Sequence, residues 1–167
     1  MPKLLEKSES LVIKIVGIQG QIANGVLLFM MAIISFDVIG RNFFNHPLKG
    51  TYEMTELSSA MLVFLALAIT HQRGNHITID FLVERFSKKA QNLLLGVVEM
   101  VIALVVLLIA MHIFENGLRM MERNSATTDL GLPVYPFLFI IAFTLTTFML
   151  LAFFKAIAYF RMAVIKG

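Results

Sequence analysis

Four long apolar stretches, separated by shorter polar segments, run along the chain. A bilayer-spanning helix needs about 20 largely apolar residues, and the pattern predicts spans at 18–43, 51–71, 92–114 and 133–159. The first is densest from Asn24 to Arg41, and an amphipathic stretch from Ser10 leads into it. Gln19, Gln21 and Asn24 interrupt that lead, and no small-x-small cleavage site closes it, so the segment is expected to be retained. The second is short, running from Met54 to Thr70, and reaches spanning length when Tyr52 and Glu53 form its first turn. The third is broken only by Glu99 and His112. The fourth opens on Pro133 and Pro136, whose missing amide hydrogens are not needed in a helix's first turn. The expected fold is therefore an all-α membrane protein with four transmembrane helices, forming one integral membrane domain over residues 1–167.

Between the second and third spans the periodicity changes. Ile77, Ile79, Phe81 and Leu82 begin an apolar pattern that resumes at Phe86 and Leu93, while Asp80, Glu84, Arg85, Lys88 and Lys89 fill the other positions. This predicts an amphipathic helix lying in the membrane interface, its basic groups near anionic lipid.

Composition sharpens the picture. Hydrophobic residues make up 58% of the chain and charged ones only 15%, against about a quarter charged in a soluble domain. Too little polar surface remains to cover the apolar residues in water. The net charge of +3 does not point to nucleic acid, because the basic residues lie between the apolar runs rather than along one face. Their distribution instead sets orientation. Lys3, Lys7, Lys14, Arg73, Arg85, Lys88, Lys89, Lys155, Arg161 and Lys166 fall on one side, and Arg41, Lys49, Arg119 and Arg123 on the other. The positive-inside rule places both termini in the cytoplasm.

Candidate chemistry is sparse. Without cysteine, disulfides, thiolate metal sites and cysteine nucleophiles are excluded. Asp37 and Arg41 lie four apart near the outer end of the first span, and Glu53 and Glu56 begin the second at the same depth. Arg41 can pair with Asp37 or with either glutamate across the turn, in a structural network or a docking patch. Glu99, about two turns into the third span, can bind a proton or a cation, or hydrogen-bond Gln19, Gln21 or Lys14 on the first helix. Of the four histidines, only His46 and His112 share a depth, and His46 lies in a loop, so haem or metal ligation is a poor fit. Gly17, Gly20 and Gly25 offer close helix packing. No phosphate loop, nucleophile elbow or zinc-protease motif occurs.

One run of residues has a family likeness. Arg41 and Pro47 in GRNFFNHPLKG, then Glu53, then Gln72 and Arg73 followed by His76-Ile77-Thr78-Ile79-Asp80, form a specific combination. With the LGLPVYPF entry to the last span, it resembles the small (Q-type) membrane subunit of tripartite ATP-independent periplasmic (TRAP) transporters. Members often carry a tryptophan between the proline and the glutamate. Here Gly50 stands in that stretch, and Tyr52 is the aromatic residue nearest to it.

The resemblance implies a non-catalytic subunit of the bacterial inner membrane with no cofactor of its own. A large elevator-type membrane subunit would hold the sodium sites and move an organic acid, of C4-dicarboxylate or sialic-acid type. A periplasmic binding protein would deliver it. Asp37, Arg41, Pro47, Glu53, Glu56, Arg73, His76, Asp80 and Glu99 become candidates for structural or partner contacts. Lys49, Arg119, Glu122, Arg123 and Asp129 become candidates for electrostatic contact with the binding protein. Two other classes compete. One is a small proton-coupled cation exporter using Glu99; the other is a membrane electron carrier, which would bind haem.

Overall fold

The computed structural model describes residues 2–73 and 87–165, with side chains from 7 to 73 and from 87 to 164. Four helices account for most of these residues: α1 (Pro2–Phe44), α2 (Thr51–Gln72), α3 (Lys88–Glu122) and α4 (Tyr135–Ile165). All four are long and apolar enough to cross a membrane, and the described residues contain no strand. The interfacial helix expected over 77–93 lies mostly outside the described residues, and α3 already begins at Lys88.

Three helices overrun the hydrocarbon core. At 1.5 Å per residue the 22 residues of α2 give about 33 Å, close to the ~30 Å of apolar bilayer, whereas the 43, 35 and 31 residues of α1, α3 and α4 give about 65, 52 and 46 Å. The excess of α1 is not idle. Val12 and Val16, ahead of the expected span, are buried in one apolar cluster with Leu145, Phe148 and Leu151 of α4. Buried Val12, Val16, Gln19 and Ala23 recur at helical spacing, so the amphipathic lead is the packed lower half of the same helix.

The helices form two antiparallel hairpins, α1–α2 and α3–α4, and α4 packs against all three others. Between α3 and α4 the contact is a stripe of small residues. Gly96, Ala103, Ala110 and Gly117 are buried at seven-residue spacing, the repeat of a left-handed helix pair. A Cβ on Gly96 would come within 2.9 Å of the Phe160 ring, and one on Gly117 equally close to Phe139. Each ring fills the notch that a glycine leaves. On α1, Gly20 alone of the three glycines singled out earlier meets a neighbour, Ile69. Gly17 and Gly25 have nothing within 4 Å, and Gly25 borders an open apolar groove between α1 and α2.

The turns are built by local chemistry. α1 stops where Asn45 adopts a left-handed φ of 53° and the His46 amide donates back to the Gly40 carbonyl at 3.0 Å, with Pro47 next. A Cβ on Gly40 would lie 2.7 Å from the His46 carbonyl oxygen, so only glycine admits this return. The α3–α4 connection closes similarly at Asn124, with φ 48°. Pro133 proves not to begin α4. It pairs with Ala126 in an isolated bridge, and its backbone is spent on that loop, leaving Pro136 in the first helical turn.

Candidate functional site

The polar residues inside this apolar bundle gather at two levels, which may be named by the chain: the turn end, with the α1–α2 and α3–α4 connections, and the terminal end, with both chain ends. At the turn end Asp37 is 5% exposed. One carboxylate oxygen accepts from Arg41 Nη2 at 2.7 Å and the other from the Leu48 amide at 3.0 Å. The i, i+4 spacing puts Arg41 on the same face, and the second bond ties the returning loop to α1.

Of the partners open to Arg41, Asp37 is the one taken, and Glu53 is engaged elsewhere. It sits in the first turn of α2, where the free amides favour an anion, yet its carboxylate reaches across to the other hairpin. It accepts from the Asp129 amide at 2.6 Å and the Leu130 amide at 3.0 Å. Arg41 is engaged by Asp37 on a different face. Gly50, three residues before Glu53, has φ 76°, and the Leu130 side chain covers it so closely that a Cβ there would lie 2.3 Å away. A side chain at Gly50 would therefore meet both a strained backbone and the Leu130 side chain. Glu56 is exposed, as are Pro47 and Lys49.

The α3–α4 loop that Glu53 holds is internally bonded. The Thr127 amide donates to the Leu132 carbonyl at 2.9 Å, the Val134 amide to Ser125, and the Leu132 amide to the Thr127 hydroxyl. Asp129 in the loop, Arg123 at its start, and Arg119 and Glu122 in the last turn of α3 are all exposed. Such a loop presents charge from a fixed backbone.

At the terminal end the partner of Glu99 is His71, not a residue of α1. His71 Nε2 and Glu99 Oε2 are 2.9 Å apart, with both side chains largely covered. Lys155 Nζ donates to the His71 carbonyl at the end of α2, where a cation meets the negative end of the helix dipole, and it lies within electrostatic reach of Glu99. Phe148 meets the imidazole edge-on at 4.9 Å. Three helices are thus tied by one cluster. Gln19 is occupied with Thr147 of α4, at 2.9 and 3.0 Å, while Lys14 and Gln21 face outward. His71 and Lys155 were legible only as basic residues near one end. The signal that unites them with Glu99 is common depth, which sequence supplies only once the helices are registered.

Arg73 is exposed at the C-cap of α2, and His76 and Asp80 lie outside the described residues. His46 and His112 are both exposed. Among the described residues no three His, Asp or Glu side chains gather where a metal could sit.

The family described as tripartite ATP-independent periplasmic transporters, DctQ component, matches residues 30–162. The chain belongs to this family. It is a multi-pass inner-membrane subunit of a TRAP transporter, without catalytic activity of its own. DctQ subunits associate in general with a large TRAP membrane subunit and a substrate-binding protein. The match begins inside α1 and ends near the end of α4, so it takes in both charge clusters and the loop between α3 and α4. No curated protein matches the chain.

Proposed function

We propose that this DctQ subunit is the fixed frame of a sodium-coupled transporter for an organic acid, of C4-dicarboxylate or sialic-acid type. It braces the large elevator-type subunit, and its turn end docks the periplasmic binding protein. The turn end faces the periplasm and both termini face the cytoplasm, in keeping with ten basic residues on the terminal side against four on the other. One observation carries the reading: all four helices are continuous, and the buried polar side chains cross-link them in pairs. Transport sites in membranes are built on broken helices whose free backbone groups meet the solute. A frame needs the opposite, helices that resist relative movement. The buried carboxylates, Asp37 and Glu53 among them, would repel an organic anion.

The loop over 123–134, with Lys49 across the turn end, offers a mixed-charge surface to a soluble partner. Reconstitution tests the division of labour. Vesicles holding the large subunit, this chain and the binding protein should take up the organic acid when a sodium gradient is imposed. Vesicles holding this chain by itself should carry no flux of organic acid or cation. Flux through the lone chain would replace the frame with the exporter reading.

A further inference from the structure

We propose that Glu53 is a positioning residue for docking: from α2 it holds the α3–α4 loop in the shape that the binding protein meets. This inference rests on reading that loop as the docking surface. Three features of the turn end point to it. First, the Glu53 carboxylate is 8% exposed and reaches two successive backbone amides, Asp129 and Leu130, 76 and 77 residues away. A carboxylate serving only to pin the α1–α2 hairpin would pair with Arg41, and Asp37 already does that.

Second, the clamp has a mechanical complement. Leu130 lies over Gly50, where even a methyl group would stand 2.3 to 2.5 Å from the Leu130 side chain. Gly50 also adopts φ 76°, which a side chain disfavours. Leu130 is thus fixed twice, by its amide on Glu53 and by its side chain over Gly50, and Asp129 once, by its amide. Third, what is fixed is a display. The Asp129 backbone is held while its side chain is exposed, next in the chain to exposed Arg119 and Glu122 in the last turn of α3 and Arg123 at its C-cap. A surface ordered before encounter loses less freedom on binding than one ordered by it. Loosening the clamp leaves the α3 charges in place and frees Asp129 to move relative to them.

The experiment uses the complex of this chain with its large subunit in nanodiscs, the cognate periplasmic binding protein as probe, and amide hydrogen exchange as a second readout. In Glu53→Gln the exchange of the Asp129 and Leu130 amides should quicken, and the Kd of the binding protein should rise, each about tenfold. Co-purification with the large subunit and the melting temperature should stay near wild type. Leu130→Ala, which keeps the carboxylate, should give a smaller change of the same kind and serves if Glu53→Gln does not fold. Unchanged exchange at both amides would overturn the clamp. Faster exchange with an unchanged Kd would overturn its role in docking. Arg123→Glu, in the loop but away from the clamp, separates the two layers of inference. If it raises the Kd while Glu53→Gln does not, the positioning role fails by itself. If neither raises it, the loop is not the docking surface.

Discussion

At Glu99 the carboxylate is bonded to His71, and Lys155 is bonded to the carbonyl of that same histidine. Glutamine keeps an acceptor for the imidazole, so Glu99→Gln should leave uptake by the full complex close to wild type, whereas a proton-coupled exporter would lose its activity. Leucine at this position removes the carboxylate bonded to the imidazole and the negative charge near Lys155, and should cost about 1–3 kcal/mol, read as a lower melting temperature in detergent. Gly40 makes a sharper local case. Alanine there meets the His46 carbonyl at 2.7 Å, a backbone atom that cannot swing aside. Gly40→Ala should destabilise the chain by about 1–3 kcal/mol, and a melting temperature equal to wild type would refute it. The pairing of Asp37 with Arg41 was legible in the sequence because four residues along a helix is a local relation. The partners of Glu53 and Glu99 were not, because they lie 76 and 28 residues away and meet only through packing.

Hydrophobic periodicity located all four helices, since only length and apolarity decide whether a segment spans. It understated three of them. Helix does not end where hydrocarbon ends, and the residues beyond the core are held by neighbouring helices: α1 by Val12 and Val16, α3 by Gly117 against Phe139. The packing glycines were also misplaced. Gly17, Gly20 and Gly25 look like a small-residue face on α1, yet the close approach belongs to Gly96 and Gly117, seven-residue repeats whose partners are aromatic rings on α4. Gly117→Leu should therefore separate the α3–α4 hairpin and cost about 1–3 kcal/mol, while Gly25→Leu, facing open space, should be near neutral. Equal melting temperatures for the two variants would show that the glycine notches do not hold the hairpin.

For the molecule as a whole, the charged turn end predicts salt-dependent docking. Reversal at Arg119 or Arg123 should slow uptake by the complex, most at low ionic strength, where charges at a surface are least screened. Uptake equal to wild type at low salt would remove that role. Membrane residence, the number of spans and the family likeness were all determined by the sequence alone. They depend on the order of apolar and polar residues and on motifs short enough to be read along the chain. Only the tertiary structure decided that α4 is the helix the others share, that His71, Glu99 and Lys155 form one cluster, and that Glu53 of one hairpin holds the loop of the other. The reason is that a bilayer rewards every apolar helix alike, so hydropathy cannot choose which faces meet. That choice falls to the few small residues and buried polar groups whose partners are complementary in shape and hydrogen bonding.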